Sequence, residues 1–353
     1  MKKERDIRYF MGKLLLFLVP LWLVIALYII LDPFKVIREY DSYYVDGKPT
    51  YVNVDHDFVS TQVFEKTHPL YHYDSFILGS SRSRFFPLEE WERHIGSDCN
   101  GYHFDGSGET LYGVYRKLKY LDDKSPLKHV LFIMDHELLE KAERKTTFLN
   151  YLAPQLDGHT FDFQLTFLKT FCSPDMLEAY STFKLTGVVP EWAKKKYILD
   201  DRPMNYRLKG NEMELREFEQ AIRKGTYYTD HRMKAFTPRD TTKQSYTDRL
   251  ITAKHLELLT GIQEILKKHH TDYKVVISPL YDQLKINKAD LGTLKRIFGA
   301  EHVYDYSGIN GYTNNYRNYY ESSHYRPVVA IDIMNRIYSN SIKELQANKR
   351  NSK

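Results

Sequence analysis

The sequence predicts an α/β protein with a mostly parallel sheet, preceded by one membrane-spanning helix. Three observations predict this class: a long uncharged apolar run near the N-terminus, short apolar strands that alternate with amphipathic helices, and turns rich in glycine and aspartate after several of these strands. Strands that alternate with helices form parallel sheets covered on both faces. Ligands of such sheets bind where the strands end, so the turns after the strands are the expected place for a functional site.

The N-terminus has the features of an uncleaved signal anchor. The run from Leu14 to Leu31 contains no charged residue, and its length of about 18 residues is near the lower limit for crossing the hydrocarbon core of a bilayer. Pro20 lies inside the run, where membrane helices tolerate a kink. No small-residue cleavage site follows the run. Basic residues before it predict a single-pass protein of the cell membrane with a cytoplasmic N-terminus and an extracytoplasmic main domain; they are Lys2, Lys3, Arg5, Arg8 and Lys13.

The chain divides into an anchor, a connector and one large domain. Residues 1–34 are predicted to form a cytoplasmic stub and the transmembrane signal anchor, and the polar, tyrosine-rich residues 35–72 a juxtamembrane connector. Residues 73–340 form the predicted α/β domain, in which the irregular pattern of about 140–240 indicates a largely helical insertion. Residues 341–353 are predicted to be a flexible tail.

Periodicity predicts the elements of the large domain. Buried strands are short apolar runs, whereas each helix has an apolar face with a period of 3.6 residues. The predicted strands are Ser75–Leu78, Tyr102–Phe104, Val130–Met134, Lys274–Ser278 and His302–Tyr306. The predicted helices are Pro87–His94, Leu111–Leu121, about 251–266, Ala289–Phe298 and Pro327–Ser339.

Composition excludes several classes of protein. The formal net charge of +5 is small for 353 residues, and Lys and Arg are scattered, so nucleic acid is not an expected partner. The two cysteines, Cys99 and Cys172, are too few for a disulfide scaffold, and the sequence leaves open whether they pair. The sequence contains no HExxH motif and no cluster of Cys and His, so it predicts neither a metal nor another cofactor.

A serine and a distant histidine form the candidate reactive pair. Ser81 comes directly after a predicted strand and Gly79-Ser80, so it is expected on a tight, exposed turn whose backbone N–H can receive an oxyanion. A serine needs a neighbouring base to act as a nucleophile. His324 lies just before the last predicted helix, and Glu321 comes three residues earlier. A carboxylate at this spacing can accept a hydrogen bond from Nδ1 and leave Nε2 facing the serine.

These two segments resemble blocks I and V of the SGNH/GDSL hydrolases. Gly79-Ser80-Ser81 in place of Gly-Asp-Ser is similar to the membrane-anchored branch of that superfamily, which includes the D-alanyl transfer protein of teichoic acid modification and the alginate O-acetylation proteins. The resemblance covers about 75–140 and 270–340. It implies an SGNH-like (flavodoxin-like) three-layer sandwich in which Ser81 is the nucleophile, His324 the base and Glu321 the acid that orients it.

The sequence departs from the pattern of the family at three places. Glu321 stands where the family has aspartate. Gly106 and Gly108 both match the glycine of block II, and the asparagine of block III has no counterpart because the matching strand ends in Asp135-His136. An ionised aspartate cannot donate a hydrogen bond to an oxyanion. The backbone N–H groups of Ser81 and Gly106 are therefore the expected oxyanion donors.

Four further residues are candidates for substrate binding. Arg82 and Arg84 follow the candidate nucleophile and either steer an anionic substrate or form structural salt bridges. Asp135 and His136 end the strand beside it and either bind substrate or support the site. The residue types alone do not separate these roles.

The resemblance implies a function outside the membrane. Ser81 would accept an acyl group, usually acetyl in the family, and pass it to a cell-surface polysaccharide or to water. The same residues serve a transferase and an esterase. A membrane-bound O-acyltransferase is the implied acyl donor and partner. Two alternatives stay open: a non-catalytic accessory protein of the same fold that binds glycan or the acyltransferase, and a lipid-directed esterase.

Overall fold

A computed structural model describes residues 2–96 and 98–339, with side chains from residue 7 onward, so the tail predicted at 341–353 lies outside the described residues. The protein is a mixed α/β structure with a five-stranded parallel sheet and an apolar N-terminal helix. The helices are α1 Lys2–Leu31, α2 His56–Tyr71, α3 Leu88–Ile95, α4 Leu111–Asp122, α5 His136–Leu139, α6 Pro154–Asp157, α7 Thr160–Phe171, α8 Pro174–Thr186, α9 Glu191–Lys195, α10 Arg216–Arg223, α11 Asp230–Met233, α12 Ala253–Lys268, α13 Lys288–Phe298 and α14 Pro327–Ile337.

Five of the strands in the described residues build the main sheet, and the others form separate two-stranded pairs. They are β1 Tyr51–Val52, β2 Ser75–Gly79, β3 Gly101–His103, β4 His129–Met134, β5 Leu199–Asp200, β6 Asn205–Arg207, β7 Glu212–Glu214, β8 Ser245–Tyr246, β9 Asp272–Ile277, β10 Leu284–Lys285, β11 Val303–Asp305, β12 Tyr319–Glu321 and β13 His324–Tyr325. Within the regions that carried a clear periodic pattern, the predicted strands and helices differ from the observed ones by at most two residues at either end.

The main sheet has the strand order β11-β9-β4-β2-β3, and all its neighbouring strands are parallel. Numbered along the chain, these five strands stand in the order 2-1-3-4-5, and the direction of winding reverses between β2 and β4. In doubly wound sheets of this order a ligand crevice forms at that reversal, beyond the carboxyl ends of the two strands. Ser81 follows β2 and Asp135 follows β4, so both lie at the crevice.

Alternate side chains of the sheet pack on opposite faces. Phe76, Leu78 and Phe132 belong to one core cluster, which also contains apolar residues of α2, α4 and α12. Ile77 and Leu131 belong to the other, with apolar residues of α3 and α14. Both faces of the central strands are therefore buried, which explains why these strands are continuous apolar runs in the sequence.

The segment predicted to be a connector contains a helix that packs into the main core. The carboxylate of Asp55 accepts hydrogen bonds from the N–H groups at the start of α2, and Val59 and Phe64 of α2 are almost fully buried. Ser60 and Thr61 are buried as well. Because polar residues are buried beside apolar ones, α2 lacks the apolar stripe by which a surface helix is recognised in a sequence.

Residues 140–240 share the core of the sheet. This segment contains α6 to α11 and β5 to β7. Strand β5 pairs with β1, and Phe163, Phe167 and Leu199 belong to the same core cluster as Phe76 of the sheet. The segment is thus packed against both the region before β2 and the α/β core.

Among the helices of the described residues, one is long and apolar enough to span a membrane. It is the stretch Ile7–Leu31 of α1, which covers 25 residues. Most of its side chains are exposed, so it is not a core helix. Its end is fixed to the rest of the chain, because the ring of Tyr28 lies 5.4 Å from that of Phe171 in α7 and Phe34 is fully buried. The orientation of this helix in a membrane stays a prediction.

The two cysteines are both free thiols in the structure. Cys99 is buried just before β3, and Cys172 follows α7. The sequence left open whether they form a disulfide, and the structure separates them into different parts of the fold.

A fully buried lysine joins α2 to α4. Lys117 has no exposed surface, and its Nζ lies 2.5 Å from Oδ1 of Asp57 and also contacts the carboxylate of Glu109. Burial alone would lower the pKa of Lys117, but the charges of Asp57 and Glu109 outweigh burial and raise this pKa. The ammonium group therefore stays charged between its two carboxylates.

We expect Lys117→Met to lower the free energy of unfolding by about 3–5 kcal/mol, because it leaves buried carboxylates without a counter-charge. Arg93→Met is the matched control, since Arg93 pairs with Glu89 and Glu90 on the surface, where such pairs contribute less than about 1 kcal/mol. Denaturant unfolding of the full chain in detergent measures both. Equal losses in the two variants would contradict a structural role for the buried lysine.

Candidate active site

The turn after β2 brings Ser81 to the crevice. Gly79 ends the strand with φ of +149°, and a side chain there would collide with the backbone oxygen of Ile133 in β4, so only glycine fits. A 3₁₀ turn then runs from Ser81 to Phe85, opened by a hydrogen bond from the Ser83 N–H to the Ser80 carbonyl. The N–H of Ser81 makes no hydrogen bond within the described chain and lies at the start of this turn.

Ser81, His324 and Glu321 form a continuous chain of hydrogen bonds. Oγ of Ser81 lies 2.8 Å from Nε2 of His324, and Nδ1 of His324 contacts Oε1 of Glu321. Because a carboxylate only accepts, Nδ1 carries the imidazole proton and Nε2 is the acceptor for the serine hydroxyl. This is the tautomer in which a histidine acts as general base toward a serine.

A short hairpin sets the spacing between the acid and the base. Strands β12 and β13 are antiparallel, and Glu321 lies directly opposite His324 across the turn. Oε2 of Glu321 also accepts a hydrogen bond of 2.6 Å from the N–H of Ser323. The hairpin is fixed to the end of β9 by Tyr325, whose hydroxyl lies 3.2 Å from that of Ser278.

The hydrogen bond from His324 keeps Glu321 ionised. Burial alone would raise the pKa of Glu321, but the hydrogen bonds from His324 and from the N–H of Ser323 outweigh burial and lower this pKa below its ordinary value. Phe85 packs its ring edge-on to the imidazole, with the ring centres 5.7 Å apart. The imidazole of His324 is therefore held between the carboxylate of Glu321 and the ring of Phe85.

Gly106 does not supply a free oxyanion donor, contrary to the sequence prediction. Its N–H donates a hydrogen bond of 3.2 Å to the carbonyl of Gly79, because the chain after β3 continues to pair with β2. Its Cα also faces the carboxylate of Asp57 so closely that a side chain could not be accommodated. Of the two predicted oxyanion donors, Ser81 alone therefore keeps its N–H available.

Arg82 and Asp135 support the site from inside, which is the structural one of the two roles that the sequence left open for each of them. NH1 of Arg82 lies 2.9 Å from Oδ2 of Asp135, NH2 lies 2.9 Å from Oε1 of Glu137, and Nε donates to the Ser323 carbonyl at 2.8 Å. Burial alone would lower the pKa of Arg82, but the two carboxylates outweigh burial and raise this pKa. Arg82 thus ties the nucleophile turn to the end of β4 and to the histidine hairpin.

His136 is also placed away from the reactive pair. Its Nε2 lies 3.3 Å from Oδ2 of Asp282, and the cavity that contains Ser81 is lined by other residues. The prediction that His136 binds substrate is therefore not supported by its position. It is the first residue of α5, which the carboxylate of Asp135 caps.

Arg84 is the one of the four candidates that reaches the cavity. Its Nε lies 2.6 Å from Oδ2 of Asp105 and its NH2 donates to Oγ of Ser107 at 2.9 Å. NH1 has no hydrogen-bond partner in the part of the chain that the structure describes. Side chains at i and i+3 of a 3₁₀ turn eclipse each other, so Arg84 projects from the same face as Ser81.

A buried relay holds Arg84 in place. His56 lies between Tyr44 and Asp105, with Nδ1 3.1 Å from the tyrosine hydroxyl and Nε2 3.0 Å from Oδ1 of the aspartate. Burial is the largest influence on His56 and lowers its pKa, so the ring is neutral and donates from Nε2. Burial alone would raise the pKa of Asp105, but the hydrogen bond from His56 and the charge of Arg84 outweigh burial and lower this pKa.

The reactive pair opens onto a cavity of about 350 Å³ that continues on both sides. Adjoining pockets of about 300 Å³ and 320 Å³ share Arg84 and Met213 with it, so the three form one groove. Much of the lining comes from the region between β5 and α11, for which the sequence predicted no role. Apart from its aromatic residues, this region carried no signal that could have predicted the contact, because it joins the site only through long-range packing.

Comparisons with known proteins do not assign the chain to a family. A scan against protein-family models finds no match, and a search of curated proteins finds no similar sequence. Over the described residues, no group of three or more His, Cys, Asp and Glu side chains is arranged to hold a metal ion. The interpretation of the site therefore depends on its geometry.

We expect Asp105→Asn to destabilise the protein by about 3 kcal/mol at neutral pH, because Arg84 loses a buried counter-charge. A carboxyl whose pKa is lower in the folded than in the unfolded chain contributes fully above its ordinary value of 3.8, and the contribution is lost as the pH falls toward the folded value. The difference from the native chain should therefore shrink below about pH 4. Unfolding measured from pH 7 to pH 3 checks this, with the exposed Asp248→Asn as control. A difference that does not change with pH would contradict it.

Proposed function

We propose that this protein is an extracytoplasmic serine-dependent acyltransferase or esterase, with Ser81 as nucleophile, His324 as general base and acid, and Glu321 as the residue that orients the imidazole. The observation that carries the proposal is the hydrogen-bonded chain from Ser81 through His324 to Glu321 at the wall of a cavity. Three polar side chains from two distant segments meet there in the order that acyl transfer requires.

The geometry supports a two-step reaction. In the first step, Nε2 of His324 takes the proton from Oγ of Ser81 as this oxygen attacks the acyl carbonyl carbon, and Glu321 stabilises the imidazolium. The imidazolium then gives its proton to the leaving oxygen, and the acyl group stays esterified to Ser81. In the second step, His324 takes the proton of a sugar hydroxyl or of water, which attacks the ester and regenerates the serine.

The oxyanion of each tetrahedral intermediate would be stabilised by the N–H of Ser81 and by NH1 of Arg84. The N–H of Gly106 is bonded to Gly79, whereas these two donors have no partner within the described residues. A guanidinium held by Asp105 and Ser107 is pre-organised, so it needs little rearrangement as negative charge develops. Arg84 would thus replace the asparagine that the sequence lacks.

An SGNH-like three-layer sandwich with an insertion at about 140–240 is part of this proposal. Two findings support the layered fold: the strand order 2-1-3-4-5, which flavodoxin-like sheets share, and separate apolar clusters on the two sheet faces. The match of Gly79-Ser80-Ser81 and of the Glu321–His324 pair to blocks I and V supports the same family. Fold and family are proposed together, since neither is decisive alone.

The proposed acceptor is a cell-surface polysaccharide, and the proposed acyl donor is a membrane-bound O-acyltransferase. Support for both comes from the resemblance and from α1, which is long and apolar enough to hold the domain at a membrane. An enzyme confined to the surface that carries its donor meets that donor at a raised effective concentration. In the family that the chain resembles, the transferred group is usually acetyl.

One observation favours the alternative of a non-catalytic accessory protein. Gly106, one of the two candidates for the block II glycine that supplies an oxyanion donor in the family, has its N–H occupied here. In such a protein Ser81 would be an ordinary surface hydroxyl, and the cavity would bind glycan or the acyltransferase without chemistry. Reactivity of Ser81 distinguishes the two functions.

We expect a fluorophosphonate probe to label Ser81 in the full chain in detergent, because His324 activates this hydroxyl. Peptide mass spectrometry locates the label. His324→Ala should abolish labelling and lower ester hydrolysis at least about 10³-fold, whereas Ser80→Ala, which changes the neighbouring buried serine, should leave Ser81 labelled. Folded protein without a label would support the accessory function.

We expect Arg84→Gln to lower kcat by about 10²- to 10³-fold with little change in KM, because an oxyanion donor acts mainly in the transition state. Arg202→Gln is the matched control: Arg202 lines the same cavity but pairs with Asp200. Steady-state kinetics with a soluble ester substrate measures both. An equal loss of kcat in the two variants would indicate a general effect of cavity charge and would contradict a specific role of Arg84.

A further inference from the structure

The side of the cavity next to Ser81 and His324 is mostly apolar. The residues that give it this character are Phe85, Met213, Leu215, Phe218, Tyr227 and Tyr320. They come from the 3₁₀ turn, from β7, from the start of α10, from the loop between α10 and α11, and from β12. We propose that this side of the cavity is an acyl-binding pocket, which holds the hydrocarbon chain of an acyl group of about four to eight carbons while the acyl group is esterified to Ser81. The inference rests on the proposed function.

The size of the cavity exceeds what acetyl needs. A group of the size of a water molecule takes roughly 30 Å³, so the cavity of about 350 Å³ has room for about ten such groups, whereas acetyl has one methyl group beyond its carbonyl. Asp200, Arg202 and Glu217 also line this cavity, but acetyl would leave its apolar part largely unfilled. A longer chain would instead replace water along apolar walls.

The side chains that face the cavity suit a flexible chain. Met213, Leu215 and Phe218 are each half-buried, so part of their apolar surface is open to the cavity. Methionine adapts its shape to an irregular ligand. Apolar surface at this position is unexpected for a site that would bind a sugar alone, because sugar hydroxyls need polar partners.

The aromatic rings of this pocket are not arranged to stack on a sugar ring. Tyr227 and Tyr320 are almost fully buried, and the guanidinium of Arg232 lies 4.3 Å from the ring centre of Tyr227 and 4.5 Å from that of Phe218. Phe218 meets Tyr320 edge-on, with centres 5.7 Å apart. The rings thus pack against one another and against a cation, which makes them the wall of a pocket and leaves no open stacking face.

The adjoining pocket offers the polar partners that an acceptor needs. Ser107 and Asn150 line this neighbouring part of the groove, and Asn53 and Asp200 line both this pocket and the cavity beside Ser81. Polar partners for an acceptor are therefore continuous with the cavity, and Arg84 is common to both.

A series of p-nitrophenyl esters from acetate to octanoate tests the pocket on the full chain in detergent, with Ser81→Ala as the blank. Each methylene that enters the pocket should raise kcat/KM about fourfold, so the four methylenes added from acetate to hexanoate should together raise it by about two orders of magnitude. In Leu215→Trp the indole fills the pocket, and the ratio of kcat/KM for hexanoate to that for acetate should fall to about one. Leu185→Trp, on an exposed side chain of α8, is the matched control and should keep the native ratio.

The outcomes separate this inference from the proposed function. Hydrolysis of all esters at similar kcat/KM, with Ser81 labelled by the fluorophosphonate probe, would overturn the acyl pocket and leave the proposed function standing. A rise with chain length that Leu215→Trp does not change would also overturn it, because the preference would then come from partition into the micelle. If Ser81 is not labelled in folded protein, the proposed function fails and the acyl pocket fails with it.

Discussion

The buried guanidinium of Arg82 is the contact on which the arrangement of the site depends. It binds Asp135 and Glu137 beyond the end of β4 and the backbone of Ser323 in the histidine hairpin, while its own backbone is part of the nucleophile turn. A guanidinium taken out of water is tolerated only when its donors are satisfied, so its partners cannot move independently. As a consequence, Oγ of Ser81 is held 2.8 Å from Nε2 of His324, although the two residues are 243 positions apart in the chain.

Consecutive residues at the start of helix α2 connect this site to the rest of the structure. Asp55 caps the helix and accepts a hydrogen bond from the N–H of Tyr151, His56 enters the relay to Asp105, and Asp57 binds Lys117. The three side chains point to different parts of the structure because they lie at the start of a helix, where successive residues are about 100° apart. The region between the membrane helix and the sheet is thus part of the framework of the site and is not a passive connector.

The cavity depends on residues that are far from the nucleophile in the sequence. Strand β7 and the start of α10 bring Met213, Leu215 and Phe218 to the mouth of the crevice. Arg326, which precedes α14, binds Glu219 of α10, with its NH2 2.7 Å from Oε2. That ion pair joins the wall of the cavity to the segment that carries the base. A change in the wall can therefore alter the shape of the cavity without changing Ser81, His324 or Glu321.

The sequence by itself determined the local features of this protein. The strands β2, β4 and β9, the helices α4 and α14, the turn at Ser81 and the contact between Glu321 and Nδ1 of His324 all follow from patterns within a few residues. Such features are predictable because hydrophobic periodicity and short spacings fix them before the chain folds.

Only the tertiary structure decided which polar groups are used inside and which face the cavity. Arg82 points inward and Arg84 faces the cavity, although both follow Ser81 closely in the sequence. The N–H of Gly106 is bonded to the carbonyl of Gly79, and much of the lining of the cavity comes from residues 200–232. Each of these outcomes depends on partners far away in the chain. Burial, strand order and long-range pairing select those partners, and no short stretch of sequence contains that information.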